Sequence, residues 1–267
     1  MQGIRALIVR NRTKVTADLL DAAPDLKVVG RLGVGLDNIE LEACTSRGVE
    51  VIPATGANTL SVAEYVVTNA LMLLRGAYTA RDAMLSGTWP RAACGAGREA
   101  NGRQLGLVGY GAIARETARL ARPLGMKIAA FDPHLPADDP AWAEATRCDF
   151  DTLLEGSDVL SLHVPLTEAT RHMIDADAIS RMPQGAVLIN AARGGIVDEA
   201  ALATSLRDGH LAGAALDVFE TEPLTKDAAQ MFDGLGNLIL TPHIAGVTED
   251  SNTRVSAMIA DEVLKRL

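Results

Sequence analysis

Leu105-Gly-Leu-Val-Gly-Tyr-Gly-Ala-Ile-Ala114 decides how this chain folds. It reads as a short apolar strand, a turn of the form Gly109-x-Gly111-x-x-Ala114, and the start of a helix expected over 112–124. A second apolar run, Lys127-Ile-Ala-Ala-Phe131, ends at Asp132. Strand, glycine turn, helix, strand and terminal acid in that order form a dinucleotide-binding fingerprint. Gly109 permits the tight turn. Gly111 leaves the backbone open to a pyrophosphate, and Ala114 lets the helix pack closely on the strand. The helix start, with Ala112 and Ile113 in its first turn, offers unpaired N–H groups and the positive end of a dipole. Asp132 can accept hydrogen bonds from both ribose hydroxyls and would repel a 2′-phosphate, which favours NAD over NADP.

Strands and helices alternate on both sides of this unit, so the fold class is α/β with parallel sheets. The fingerprint begins well into a chain of 267 residues, so a separate domain precedes it. In that part, 6–10, 27–31 and 49–53 read as strands, with helices over 15–22 and 41–47. A long, broadly apolar helix is expected over 61–85, and such a helix is usually buried. The glycine-rich, aperiodic stretch 86–98 reads as a linker. Beyond the fingerprint, strands are expected at 159–163, 186–190, 213–216 and 238–240. A helix over 199–208 stops at Gly209, and a final helix over 248–267 starts with capping residues. The expected division is a discontinuous first domain, 1–98 with 248–267, and a Rossmann-type second domain, 99–247.

A net charge of −9 without a basic cluster argues against nucleic acid and anionic membrane as partners. No apolar run reaches membrane-spanning length, and Met1-Gln-Gly-Ile-Arg5 lacks the apolar core of a leader. Cys44, Cys94 and Cys148 are odd in number and widely spaced, which fits neither a disulfide framework nor a zinc site. No His, Asp or Glu spacing suggests another metal. A reduced, cytoplasmic setting is the expectation.

Three motifs follow apolar strands and so fall at the C-terminal edge of a sheet, where α/β proteins bind ligands. They are Asn190-Ala-Ala-Arg-Gly-Gly-Ile-Val-Asp198, Leu216-Asp-Val-Phe-Glu-Thr-Glu-Pro223 and Leu240-Thr-Pro-His-Ile-Ala-Gly246. Hydride transfer between NAD and a 2-hydroxy acid needs a cation for the carboxylate, a proton carrier for the hydroxyl and a carboxylate to orient that carrier. Arg193 offers the permanent, bidentate charge. His243 titrates near neutrality, and Glu222 can hold its far ring nitrogen. None of His134, His163, His172 and His210 has a comparable carboxylate partner at a strand end.

The sequence resembles the D-isomer-specific 2-hydroxyacid dehydrogenase family, the group that includes D-3-phosphoglycerate dehydrogenase. Gly33-Val-Gly-Leu-Asp-Asn38, Ser61-Val-Ala-Glu64, His163-Val-Pro-Leu-Thr167, Ala192-Arg-Gly-Gly195, Asp217-Val-Phe219, Glu222-Pro223 and Pro242-His243 carry the likeness, which runs from about Ala6 to the end. The resemblance implies a homodimer in which each chain has an NAD-binding Rossmann domain and a smaller, flavodoxin-like substrate domain. It implies Arg193, Glu222 and His243 as catalytic residues and Asp217 beside the nicotinamide carboxamide. His163, Val164 and Pro165 then border the adenine side, with Thr170, Ala191, Ala192, Ala245 and Gly246 along the same coenzyme. Leu32, Gly33, Val34 and Gly35 would hold the substrate carboxylate, with Arg10 facing the substrate. Arg12, Arg31 and Arg91 are further cations that could meet a second substrate anion. Arg10-Asn-Arg-Thr13 together with Arg31-Leu-Gly-Val-Gly-Leu-Asp-Asn38 resembles the sulfolactate dehydrogenase branch.

The expected activity is therefore an NAD-dependent oxidoreduction of a D-type 2-hydroxy acid (or its 2-oxo acid) with a second anionic group, sulfolactate or 3-phosphoglycerate. Two rivals stay open: an NADH-binding, corepressor-like regulator, and an inactive fragment. The family's first strand and helix have no counterpart before Ala6, so the smaller domain is expected to show an exposed edge and an uncovered apolar face. The final helix also stops earlier than the family's.

Overall fold

In a computed structural model the chain is described from residue 3 to residue 267; Met1 and Gln2, where the segment read as lacking a leader begins, lie outside the described residues. The chain forms two compact units: one holds the residues up to Ser61 together with Gly246–Leu267, the other Val62–Ala245.

In the first unit, three short parallel strands, β1 (Ala6–Val9), β2 (Val28–Arg31) and β3 (Glu50–Pro53), lie in the order β1-β2-β3. Helices α1 (Ala17–Asp21) and α2 (Leu41–Ser46) connect them. Side chains alternate across a strand, and here both faces are covered. Val9, Val29, Leu20 and Cys44 form one core. Val28, Ile52, Val255, Ile259 and Val263 form the other, against the C-terminal helix. The expected uncovered face is thus largely closed by that helix, while Ile8 on the edge strand β1 stays 47% exposed.

The helix α3 (Thr59–Arg75) ends ten residues before its expected limit of 85. Gly76 adopts φ 65 there, a left-handed conformation that stops a helix cheaply only when no Cβ is present. Two short helices follow, α4 (Arg81–Leu85) and α5 (Arg91–Cys94). The expected boundary at 98/99 is therefore corrected to 61/62. The cause is packing: Val62, Val66, Ala70, Leu73 and Leu74 of α3 share one core with Leu105, Leu107, Ala114 and Ala118. The expected linker is tied to the same unit, since Arg98 N–H donates to the Leu74 carbonyl.

The second unit carries a seven-stranded, all-parallel sheet. Its strands are β4 (Gln104–Val108), β5 (Lys127–Phe131), β6 (Thr146–Arg147), β7 (Val159–Leu162), β8 (Val187–Asn190), β9 (Gly213–Leu216) and β10 (Leu238–Leu240). They lie in the order β10-β9-β8-β7-β4-β5-β6. Helices α6 (Ala112–Ala121), α7 (Phe150–Gly156), α8 (Ala176–Arg181), α9 (Glu199–Asp208) and α10 (Lys226–Ala229) join them, and α11 (Glu249–Leu264) closes the chain. Strands β7, β8 and β9 are buried at every residue, as a sheet covered on both faces requires. The strand order reverses between β4 and β7, and such a switch point opens a crevice at the C-terminal strand ends.

Two helix ends move inward from their expected places. Helix α6 gives way at Arg122 to a single 3₁₀ turn containing Pro123, which has no N–H to continue the ladder. Helix α11 starts after Thr248, whose hydroxyl and Ser251 form a reciprocal capping box.

Candidate active site

The phosphate end of the site is built by β4 and α6. Gly109 has φ 86, and a Cβ there would meet the His163 carbonyl oxygen and Val164 Cγ1, each at 2.9 Å. Only glycine lets that turn pass under the 163–165 segment. Gly111 is the N-cap of α6, makes no side-chain cap hydrogen bond, and would point a Cβ into open space. Ala114 is fully buried against the sheet. A dinucleotide pyrophosphate fits this cradle: uncapped N–H groups and no side chain in its way. Ala112 and Ile113 open the helix.

Asp132 is more engaged than its sequence position suggests. One carboxylate oxygen accepts the Tyr110 N–H at 2.9 Å. The other accepts the N–H groups of His134 and Leu135, at 2.9 and 3.2 Å. It pins the glycine turn to the loop after β5. A carboxylate has about four acceptor positions, so limited capacity remains for a ribose.

Across the switch point, His163 Nε2 lies 3.0 Å from Ser161 Oγ. Burial pushes its pKa down to about 4, so the ring is neutral. Thr170 Oγ1 donates to the Pro165 carbonyl and accepts the Thr167 N–H, which shapes the loop after Val164.

Arg193 leaves the end of β8 on a turn folded by Asn190. Its amide donates to the Arg193 carbonyl, and its side-chain oxygen accepts the Ala192 N–H; Ala191 and Ala192 form the body of this turn. Next to it, a Cβ on Gly194 would lie 1.8 Å from the Phe219 carbonyl oxygen. The turn carrying Arg193 therefore touches the backbone of the loop carrying Glu222.

Glu222 Oε1 accepts the Phe219 N–H at 3.1 Å, and Oε2 lies 2.7 Å from His243 Nδ1. The Glu222–Pro223 peptide is cis. Burial works to raise the Glu222 pKa, but the His243 hydrogen bond, the Phe219 N–H and the charges of His243 and Arg193 together hold it below the ordinary value. The hydrogen bond from Glu222 raises the His243 pKa. Burial and Arg193 oppose it, while the charges of Glu222 and Asp217 reinforce it. With Nδ1 committed to Glu222, Nε2 is the ring atom through which His243 can exchange a proton.

His243 itself sits at φ 56, a left-handed conformation rare outside glycine. Asp217 holds it there. The Asp217 carbonyl accepts the His243 N–H at 2.8 Å. Its side chain accepts from Thr241 Oγ1 (2.6 Å), Ile244 N–H (2.8 Å) and Ala245 N–H (2.7 Å). Buried to 1% exposure, Asp217 ties both flanks of His243 to the end of β9.

The second unit thus brings Arg193, Glu222, His243 and Asp217 together with the glycine turn and the 163–170 loop. The expected substrate residues Arg10, Leu32, Gly33, Val34 and Gly35, with the coenzyme candidate Gly246, belong to the first unit. Arg10 and Leu32 follow the neighbouring strands β1 and β2, at one edge of that sheet. Arg31 donates to the Leu32 carbonyl, and its guanidinium lies where a Cβ on Gly33 would be. Arg10 reaches Asn252 at 3.4 Å and is exposed. Arg12 is also exposed, and Arg91 starts the exposed helix α5 in the second unit.

Three features escaped the sequence. His172, read as lacking a carboxylate partner comparable to Glu222, lies 3.1 Å from Glu220 Oε1. Glu220 N–H in turn donates to the buried Glu199, whose pKa is raised by that burial. Thr241 and Tyr65 share a 2.7 Å hydrogen bond. Each pair joins residues far apart in the chain, where spacing carries no signal. Among the described residues no cluster of His, Cys, Asp and Glu is arranged to hold a metal ion, and no helix is long and apolar enough to cross a membrane.

Residues 67–245 match the family model for the D-isomer specific 2-hydroxyacid dehydrogenase, NAD binding domain. The chain is 58% identical to (S)-sulfolactate dehydrogenase of Chromohalobacter salexigens over 266 residues, 99% of this chain and 85% of the relative. It is 39% identical to D-3-phosphoglycerate dehydrogenase of Archaeoglobus fulgidus over 259 residues, 97% of this chain but 49% of that longer protein. D-lactate dehydrogenase of Aquifex aeolicus, solved with NAD and lactic acid, superposes with a TM-score of 0.86 at 31% identity, covering 99% of this chain and 85% of that one. On its sequence, its fold and its glycine turn, this chain belongs to the D-isomer-specific 2-hydroxyacid dehydrogenases, enzymes that use NAD.

Proposed function

We propose that the chain interconverts a 2-hydroxy acid and its 2-oxo acid at the D-configured C2 of a substrate with a second anionic group, with sulfolactate favoured over 3-phosphoglycerate. The observation that carries the chemistry is the 2.7 Å pair between Glu222 and His243, set beside Arg193. NAD, when bound, is the two-electron acceptor or donor at C2. Gly109, Gly111, Ala112, Ile113 and Asp132 hold its pyrophosphate and ribose, and His163, Val164, Pro165 and Thr170 border its adenine. Asp217 lies beside the nicotinamide carboxamide, where Ala191, Ala192, Ala245 and Gly246 complete the lining.

Arg193 grips the substrate carboxylate and draws electron density from C2. In oxidation, neutral His243 takes the hydroxyl proton at Nε2, and Glu222 stabilises the resulting imidazolium. In reduction, the imidazolium returns that proton to the oxo oxygen. Leu32, Gly33, Val34 and Gly35 are assigned to the carboxylate through backbone N–H groups, and Arg10 to the second anion, with Arg31 behind the loop. Sulfolactate is supported by the 58% identity to a sulfolactate dehydrogenase. The label of that relative agrees with a D substrate: the sulfur-bearing carbon outranks the carboxyl carbon, so the D arrangement is named S.

The test is NADH formation by the purified chain with D and L forms of sulfolactate, phosphoglycerate, malate and lactate. Turnover of one dianionic D substrate above all others supports the reading. Turnover restricted to lactate overturns the second-anion assignment. NADH binding without any turnover favours the regulator.

We also infer a homodimer. Leu85 and Trp89 are 71% and 72% exposed, and Met84 beside them is exposed too; large apolar side chains grouped in this way mark an interaction face. Light scattering of the purified chain at one subunit mass would overturn it.

A further inference from the structure

His243 is held in a strained backbone conformation by Asp217, and Asp217 is itself held from outside the active-site loops. Thr241 Oγ1 donates its proton to Asp217 Oδ1 at 2.6 Å. A threonine hydroxyl has one proton. At its 2.7 Å contact with Tyr65 the same oxygen must therefore accept, and the phenol must donate. The direction is fixed: Tyr65 O–H to Thr241, Thr241 O–H to the Asp217 carboxylate. Burial pushes the Tyr65 pKa up to about 12, so the phenol keeps its proton throughout the working range.

Helix α3 supplies the fixed point for this chain. Its residues Val62, Val66 and Ala70 are buried in the core beneath β4 and β8. The Tyr65 carbonyl accepts the side-chain amide of Asn69 at 2.8 Å. Tyr65 thus stands on a packed helix and reaches the loop that carries His243. Asp217 is the branch point. Its acceptors hold residue 241 on one side of His243 and residues 244 and 245 on the other. An Asp217 free to rotate would release both flanks of a histidine whose backbone favours relaxation.

We propose that Tyr65 is a positioning residue for the reaction: by donating through Thr241 to Asp217, it fixes the carboxylate that holds His243 in its working conformation. This rests on the proposed role of His243 in proton transfer. The charged groups acting on the imidazole are Glu222, Asp217 and Arg193. Of these, Asp217 is the one the chain from Tyr65 controls. Tyr65 passes no proton to the substrate; it acts only through the two residues beyond it.

The test compares the full chain with Tyr65→Phe, Thr241→Val, the double variant and Thr241→Ser. Tyr65→Phe keeps the ring and removes only the donor. It should lower kcat about three- to tenfold with little change in KM, the size expected for one lost hydrogen bond. Thr241→Val should lose more, and Thr241→Ser should recover most of that loss. The double variant should be no worse than Thr241→Val, because both act on one chain. The His243 imidazole, titrated by NMR in the free protein, should show a lower midpoint in Tyr65→Phe. A merely structural tyrosine would lower the melting temperature and leave that midpoint in place. Full multiplication of the two single effects, or an unmoved midpoint, overturns the proposal. Should the parent chain turn over no 2-hydroxy acid, the proposed function fails, and the His243 titration still decides whether Tyr65 positions that residue.

Discussion

At the scale of single residues, the proposed chemistry depends on the hydrogen-bonded pair of His243 and Glu222. His243→Ala should lower turnover by about 10²–10⁴ while NADH titration gives nearly unchanged affinity. The pH dependence follows from the raised His243 pKa. Oxidation needs the neutral ring, so its rate should climb as pH rises through a midpoint above the ordinary histidine value. Reduction needs the charged ring and should fall over the same range. Glu222→Gln removes the main cause of the shift and should bring both midpoints down; an unmoved profile would assign the titration to another group. Asp132→Ala should relax the preference for NAD over NADP, measured as the ratio of the two kcat/KM values. The same change strands three backbone N–H groups, at a cost of about 1–3 kcal/mol in stability. Arg193, Glu222 and His243 were legible because each follows an apolar strand in a motif of its own. Tyr65, Thr241 and the His172–Glu220 pair were not, because their partners are distant in sequence and only the fold brings them together.

At the scale of elements, two glycines at strand ends separate binding from folding. Gly111 faces open space at an ordinary φ of −77. Gly111→Ala should leave the melting temperature unchanged and weaken NADH binding at least tenfold, because the new methyl enters the phosphate cradle. Gly194→Ala pushes a methyl into the Phe219 carbonyl. It should destabilise the protein by about 1–3 kcal/mol and lower turnover as well, since the loops carrying Arg193 and Glu222 must part. Equal effects of the two changes on melting would refute this contrast. The central strands were legible from their apolar runs. Strand β6 was not: two exposed residues, Thr146 and Arg147, carry no apolar pattern. The end of α3 was also missed, because Gly76 is one glycine inside a long helical periodicity and its left-handed backbone is not visible in composition.

At the scale of the whole molecule, three groups shape stability against pH with opposing signs. His163 titrates near 4 in the folded chain, below its unfolded value. The unfolded state therefore binds more protons, and stability should fall as pH drops from about 6.5 to about 4. Glu222, also lowered, adds a loss as pH falls through its own range. His243, raised, contributes below the unfolded histidine value, and that contribution is lost as pH rises through its folded pKa. Thermal unfolding should be most resistant near neutrality, and His163→Asn should flatten the acid limb between about 6.5 and about 4. An identical acid limb in that variant would remove His163 from the account. The two-unit organisation was legible because the fingerprint starts late in the chain. The boundary was not, because α3 reads as one helix yet begins in one unit and packs its apolar residues into the other.

The first unit is closed by the last helix. Val255, Ile259 and Val263 of α11 supply half of the core that covers one face of β2 and β3. On a ribosome, β1, β2 and β3 emerge before the second unit and then wait through the whole of it. That second unit can assemble strand by strand, because β5, β6, β8, β9 and β10 each pair with the strand made just before, and β7 pairs with the earlier β4. The first unit is therefore begun before the second and completed after it. An interruption of translation anywhere before α11 leaves a nascent chain whose early sheet has one greasy side open to the chaperones around it.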